Sequence, residues 1–591
     1  MSKSDSSCNS DTDGLSVDFM RSLVKQYSEL GQWTSALFWA DLAASTSSDG
    51  GSRETSPEDI WLLASAMLAC GEMHRAAYAI TSRDLHKKNL LCLGVACRAM
   101  LEAKEPTNVL SLMEECDPTL LETRTNDQTH NRALASVLVS RAQALSSVER
   151  REAAAQALDS ALRADVLCYE ALNLLIEKHS LTPQLEQELL DSLPLKHQLG
   201  AAEAALVRTA YMQRIHRYTN PELDTEAPSS IEHVRTNTEE AANCLARRLS
   251  GACQWASALK VLKDPWSCPE VRTACLVELK KTSELFTFAH TLVDSYPNTW
   301  SAWYAVGCYY YLIGKSEFAR RYLSKAKSID PTVGCIWLAY GHSFAADNEH
   351  DQAMAAYFKA AQLMPGCHLP RLYVGVECAL LNNVSVAERF FVQAAKLYPK
   401  KSDIDPEIPT KGWGSICISD DAHIQHEAGV AAYNACDYMN AETLFLSALK
   451  TDTHCESSTR WAPILDALGH TVRKLGRPEE ALTWHERALA LRPYNAATYT
   501  AIGLCLALTG QTDKAADALH AALGKDPDDA VAVALLDSVI DRLDGAFTDE
   551  DIPQFAFPAA PHTPPPRSPR PAPPPTTADV TNISDMSMSF D

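Results

Sequence analysis

The residues of this chain with the most chemical potential are its histidines, acids and cysteines, and their spacing limits what they can do. His426 and Glu427 stand side by side like the first two residues of an H-E-x-x-H metal helix, but Val430 occupies the place of the second histidine ligand. One imidazole beside one acid does not complete a zinc site, so the pair is expected on a helix as a polar contact surface. The 18 cysteines are scattered and none forms C-x-x-C, so neither a zinc knuckle nor a redox dithiol is read. Cys92 and Cys97 come nearest; they share a helical face and are expected in the core as small apolar residues. Phosphate loops of the form G-x-x-x-x-G-K-[ST] and nucleophile elbows of the form G-x-S-x-G are missing from the sequence. No catalytic residue, cofactor or metal is expected. His342 and His470 differ from these groups because each directly follows a glycine, Gly341 or Gly469, at the same place in a repeated unit.

That unit is what positions them. Trp303, Gly307, Ala319, Ala326 and Pro331 recur as Trp337, Gly341, Ala353, Ala360 and Pro365, and then as Gly375, Ala387, Ala394 and Pro399, each displaced by 34 residues. The period resumes with Gly429, Ala441 and Ala448, then Gly469, Ala481, Ala488 and Pro493, then Gly503, Ala515, Ala522 and Pro527. A 34-residue period with glycine at position eight, alanine at twenty and proline at thirty-two is the tetratricopeptide (TPR) pattern of stacked helical hairpins. The small residues let two helices approach, and the proline ends the second one. An all-α helical-repeat superhelix, or solenoid, is therefore expected, with no strands.

Domain boundaries follow. Residues 1–16 are polar and expected to be a disordered N-terminus, and 17–195 form a degenerate repeat array in which Tyr27, Gly31, Trp33 and Ala36 mark a first hairpin. Residues 196–265 are read as a degenerate TPR and loop connection, 266–399 as regular repeats and 400–421 as an inserted surface loop. Regular repeats return over 422–529, a capping helix follows over 530–544, and 545–591 form a disordered Pro-rich tail with eleven prolines between Pro553 and Pro575. Thr563-Pro564 and Ser568-Pro569 in that tail have the minimal form of proline-directed phosphorylation sites.

Composition narrows the partners. The chain carries 53 Lys+Arg against 75 Asp+Glu, a net charge of −22, which argues against a nucleic-acid binder. No stretch of about 20 apolar residues suggests a membrane span. Many unpaired thiols and no secretory-type leader point to a reducing compartment, nucleus and cytoplasm.

Register assigns the contact surface. In stacked hairpins, positions two, five, nine and twelve of the first helix face the concave side. These are Tyr304, Cys308 and Tyr311; Leu338 and His342; Leu372 and Val376; His426, Val430 and Tyr433; and Asp466, His470 and Arg473. Aromatic and apolar groups with isolated polar anchors suit a peptide segment. A clamp for chaperone C-terminal carboxylates would need several Lys, Arg and Asn here, so a chaperone-associated adaptor is the alternative reading, and the half-packed character of such positions is a third. An enzyme with an accessory repeat region lacks sequence for its catalytic part.

Particular strings go beyond what repeat packing demands. Ala339-Tyr-Gly-His-Ser-Phe344, Glu349-His-Asp-Gln-Ala-Met-Ala-Ala-Tyr357, Ala387-Glu-Arg-Phe-Phe391, Ala36-Leu-Phe-Trp-Ala-Asp41 and Leu189-Leu-Asp-Ser-Leu-Pro194 resemble the TPR subunits of the anaphase-promoting complex of the cell division cycle protein sixteen type. The resemblance implies a non-catalytic scaffold of a multisubunit E3 ubiquitin ligase acting on cell-cycle regulators. It implies homodimerisation through the N-terminal repeats, a small partner subunit whose peptide lies in the C-terminal superhelix, and contacts with other TPR subunits.

Overall fold

The computed structural model describes residues 17–48, 56–124, 127–215, 238–251, 254–264, 266–398, 412–419, 421–451 and 461–542. The N-terminal segment 1–16, most of the 400–421 insertion, the tail with Thr563 and Ser568, and Pro399 lie outside them. Among the described residues every regular element is helical and no β-strand occurs. The chain divides into two compact units: residues 1–279 with 330–334 and 362–367, and residues 280–329 with 335–361 and 368–591.

In the N-terminal unit the hairpins are Val17–Glu29 with Trp33–Ser48, Pro57–Ala69 with Met73–Thr81, Leu90–Glu102 with Pro106–Glu115, and Gln128–Ser147 with Arg151–Ala164. One apolar core runs through them, including Ile60, Ile80, Leu93, Leu134, Leu162 and Leu172. Cys92 and Cys97 are both buried in it. The first two hairpins are tied by Arg21, whose Nε and Nη2 donate to the two oxygens of the fully buried Asp59 at 2.6 and 2.9 Å. The 196–265 stretch contains the helices Ala201–Ile215, Glu239–Gly251 and Trp255–Val261. The first compact unit runs on to Leu279, since Val271 and Cys275 of the helix Pro269–Glu278 pack with Leu249 and Ala258 of the preceding pair.

In the C-terminal unit each repeat pairs an A helix with a B helix: Trp300–Leu312 with Ser316–Ile329, Gly334–Ala345 with His350–Leu363, and Leu369–Leu380 with Val384–Leu397. Then come Ala422–Asn434 with Tyr438–Thr451, Ala462–Lys474 with Pro478–Leu491, Ala496–Leu508 with Thr512–Leu523, and the last helix Ala530–Asp541. The packing glycines explain the spacing of the pairs. A Cβ on Gly307, Gly429 or Gly503 would sit 2.6 or 2.7 Å from Leu323, Phe445 or Leu519 of its own B helix, and one on Gly375 would sit 2.9 Å from Phe391. Gly341 faces Tyr357 and Gly469 faces His485 in the same way. The partner always lies sixteen residues on. Ala319, Ala353, Ala387, Ala481 and Ala515 of the B helices are fully buried beside them. Trp303 is nearly buried, its Nε1 donating to Pro297 O at 2.7 Å, whereas Trp337 is half-buried with Lys327 Nζ 4.8 Å from its ring centroid.

Two features were not expected. The insertion was read as a surface loop over 400–421, but Trp413–Ile418 forms a 3-10 helix with Trp413 and Ile416 in the core beside Phe391 and Phe445. Apolar side chains of that size gain more from burial than a loop gains from exposure. The second feature is a turn rule. The residue seven after each packing glycine has a positive φ, between 59° and 81°, at Gly314, Asn348, Asn382, Cys436, Gly476 and Gly510. Glycine and asparagine tolerate this left-handed region; cysteine is the exception. Cys436→Gly is therefore expected to stabilise the C-terminal unit by about 1 kcal/mol, read as a raised midpoint in chemical denaturation. An unchanged or lowered midpoint would mean that the turn carries no strain at this position.

Candidate peptide-binding surface

Successive A helices lie against one another, Leu369–Leu380 on Ala422–Asn434, the latter on Ala462–Lys474, and that helix on Ala496–Leu508, so their equivalent faces form one wall. Two polar clusters stand on it. In the first, the His342 ring lies 4.4 Å from Tyr373, 5.4 Å from Tyr357 and 6.4 Å from Tyr311 between centroids. His342 Nδ1 and Tyr357 Oη share a 2.8 Å hydrogen bond. His423 continues the cluster, 6.1 Å from Tyr373. Burial, with the neighbouring His423, lowers His342 to about 4, so its imidazole is neutral at pH 7.

In the second cluster, the His470 ring lies 4.8 Å from His485. His485 Nδ1 is 3.0 Å from Asp466 Oδ1, and Thr498 Oγ1 donates to Asp466 Oδ2 at 2.8 Å. Burial, then His485 and Arg473, push His470 well below the usual imidazole range. Burial raises Tyr433 despite the nearby Arg473. The wall therefore offers neutral imidazoles and phenols, which recognise by hydrogen bonding and stacking more than by charge.

Register alone overstated how open some positions are. His426 and Arg473 are 3 % and 4 % exposed, and Tyr304, Cys308 and Leu372 are buried as well, because neighbouring repeats cover them. His426 packs against Phe445 with ring centroids 5.8 Å apart, and its Nδ1 lies 3.3 Å from Glu427 Oε1. Tyr311, His342, Tyr433, Asp466 and His470 keep partial exposure, as do Leu338, Val376 and Val430. Tyr373, His423 and His485 were not among the expected residues. His485 was detectable: it stands where the other repeats carry Leu323, Tyr357, Phe391, Phe445 and Leu519, a polar ring in an apolar register. Among the described residues no group of three or more His, Cys, Asp or Glu is placed to hold a metal, and no helix is long and apolar enough to cross a membrane.

The wall is continued across the insertion by a buried ion pair. His368 Nε2 lies 3.0 Å from Asp421 Oδ2, and Asp421 Oδ1 caps the next A helix by accepting from His423 N at 2.9 Å. Ser419 Oγ donates to Tyr398 O at 2.9 Å and Gln425 Nε2 to Ser419 O at 2.7 Å, fixing the point of re-entry.

Known proteins locate this architecture. The tetratricopeptide repeat family model matches residues 473–538. The Cell division cycle protein 16 homolog of Mus musculus is 39 % identical over 567 residues, which is 91 % of this chain and 87 % of that protein. This chain belongs to the Cell division cycle protein 16 family of anaphase-promoting complex subunits. Anaphase-promoting complex subunit 6 of Arabidopsis thaliana is 30 % identical over 549 residues, covering 88 % of this chain and 96 % of the relative. The crystal structure of the anaphase-promoting complex hetero-tetramer Cut9–Hcn1 superposes with a TM-score of 0.70 at 26 % identity, covering 89 % of this chain and 96 % of that one. Family membership thus extends through the degenerate N-terminal repeats, where the 34-residue period is blurred.

The His368–Asp421 pair gives a pH prediction. Burial pushes Asp421 up, but the His368 hydrogen bond and the charges of His368 and His423 outweigh it and hold Asp421 at about 2. A depressed carboxylate contributes stability above its unfolded pKa, about 3.9, and loses it as pH falls toward 2. His368→Leu, which removes the imidazole partner of a buried carboxylate that keeps its bond from His423 N, is expected to cost on the order of 3 kcal/mol at pH 7. The deficit should shrink below about pH 4 as Asp421 is protonated. Urea titrations at pH 7 and pH 3 with equal deficits would contradict this.

Proposed function

We propose that this chain is a non-catalytic scaffold subunit of the anaphase-promoting complex E3 ubiquitin ligase, supporting ubiquitination of cell-cycle regulators. The observation that carries the reading is similarity along nearly the whole of a Cell division cycle protein 16 homolog, well beyond the repeat signature itself. Its work is architectural: stacked hairpins hold other subunits at fixed separations, and no chemistry is needed from its own side chains.

Two finer parts of the reading have physical support. Homodimerisation is assigned to residues 17–195, where Phe19, Leu30, Trp33, Phe38, Leu42 and Tyr78 leave an apolar surface uncovered. Capture of a small subunit's peptide is assigned to the A-helix wall, in keeping with the Cut9 relative that forms a hetero-tetramer with Hcn1. Tyr311, His342, Tyr433 and His470 are among the half-open residues on that wall, and an extended segment lying along them would be ordered by binding. Other TPR subunits of the complex complete the partner set, and the nucleus and cytoplasm are the compartments in which it acts.

Affinity purification of the tagged chain from dividing cells, followed by size fractionation, tests the reading. Cullin-like and RING-type ligase subunits should co-elute with it in a very large particle, and the chain alone should transfer no ubiquitin. Recovery with heat-shock chaperones only would favour an adaptor. Within that experiment, Tyr433→Glu should leave the circular dichroism spectrum unchanged and reduce recovery of the small subunit at least tenfold. Full recovery would remove Tyr433 from the peptide contact.

A further inference from the structure

The B helix Ser316–Ile329 is the basic exception on an acidic chain. It carries Arg320, Arg321, Lys325 and Lys327 against the single acid Glu317, and Lys315 stands directly before it, in a protein of net charge −22. No other B helix of the C-terminal unit carries a net charge above +1. Its apolar face is used up in the core, where Ala319, Leu323 and Ala326 are fully buried. The cations therefore stand on the sides and crest that meet water. Arg320 is already satisfied, its Nη1 donating to Asp347 Oδ2 at 2.6 Å with Glu349 Oε1 at 3.7 Å. Arg321 is exposed and makes neither an ion pair nor a ring contact, although Glu317 stands one turn before it. The three lysines lie over rings. Lys315 Nζ is 6.0 Å from the Phe318 centroid, Lys325 Nζ 3.4 Å from that of Trp303, and Lys327 Nζ 4.8 and 4.9 Å from those of Trp337 and Tyr340.

A lysine laid over a ring face is held in place without being neutralised. The ring attracts the ammonium but does not use all three of its donor hydrogens. Much of the side-chain freedom that an unrestrained lysine loses on pairing is already gone. The four cations run from Lys315 to Lys327, about 18 Å at 1.5 Å per residue. They are strung along the helix and do not converge, so one phosphate or other small anion cannot engage them together. An extended segment of about six residues spans the same length, and a run of acidic side chains meets the cations in turn. Apolar contact is offered at one end, where Phe318 is 47 % and Ile313 38 % exposed. The overall negative charge of the chain does not forbid an acidic partner, because at physiological ionic strength charges beyond about 8 Å are largely screened. It does disfavour a nucleic acid, whose longer polyanion would run past the strip onto acidic surface.

We propose that Lys315, Arg321, Lys325 and Lys327 form a docking surface for an acidic segment of another protein, a run of Asp and Glu with one aromatic or aliphatic residue that packs on Phe318. The surface shares no residue with the A-helix wall, and the inference does not rest on the scaffold reading. Its attraction is electrostatic and weakens as salt rises.

The test follows the fluorescence anisotropy of a fluorescein-labelled peptide, Gly-Asp-Glu-Phe-Asp-Glu-Asp-Glu-Gly, titrated with the full chain in 100 mM NaCl. Saturable binding is expected, and the same peptide with Asn and Gln in place of its acids should bind at least tenfold more weakly. Arg321→Glu, which removes no packing contact, should weaken binding at least threefold, and Arg321→Glu combined with Lys325→Glu at least tenfold. Raising NaCl to 400 mM should weaken it at least fivefold. Arg389→Glu, at an exposed arginine of the B helix Val384–Leu397, should leave it within twofold of the wild type. Absence of saturable binding would overturn the proposal, as would indifference to both Arg321 variants. An equal loss with Arg389→Glu would reduce the effect to diffuse attraction and overturn it too. Tighter binding of single-stranded oligothymidylate than of the peptide would assign the strip to nucleic acid and contradict the choice of partner.

Discussion

Each hairpin of the C-terminal unit closes so tightly that a single Cβ would not fit between its helices, and most other features follow from that distance. With Gly307, Gly341, Gly375, Gly429, Gly469 and Gly503 on one side, a large side chain sixteen residues later fills the contact. The pairing fixes the rotation of both helices about their axes. Once the rotation is fixed, the A-helix residues one and four places after the glycine are turned to a common wall, and residues three and eleven places after it to the hairpin edge. The same geometry requires a sharp reversal seven residues on, and there the backbone enters the left-handed region in every one of these repeats. A 34-residue period thus encodes a contact, a turn and a surface together.

What the wall offers follows from how deeply those residues sit. His342 and His470 are held neutral by burial, and their neighbours are phenols and a second imidazole. Such a surface is shaped for stacking and hydrogen bonds. It is the surface that the proposed capture of a peptide segment would use, on a chain of the Cell division cycle protein 16 family.

Much of this was legible in the sequence. The Gly, Ala and Pro positions fixed the hairpins from Trp300 onward, because glycine and alanine are demanded by sterics that no other residue meets. Depth was less legible. Tyr304, His426 and Arg473 occupy wall positions, but they are covered by neighbouring repeats, and period alone carries no information on which repeat overlaps which. Trp413–Ile418 was hidden because it follows a break in the period, where no register exists to place an apolar cluster. Tyr373 falls at position six of its repeat and meets His342 only through the superposition of adjacent A helices, whereas His423, at position two, was open to the register argument. His485 and the positive-φ residues could have been found by aligning the repeats column by column.

The glycine-to-large-residue contact is tested most directly by a double-mutant cycle between Gly429 and Phe445. Gly429→Ala alone should destabilise the chain by about 1–3 kcal/mol through overpacking, and Phe445→Ala alone by about 3–5 kcal/mol. On the Phe445→Ala background the added Cβ should cost nothing, or even stabilise by up to about 1 kcal/mol through helix propensity. Strict additivity of the two changes would show that Gly429 is not required by the close approach of Phe445, and the packing account would fail with it.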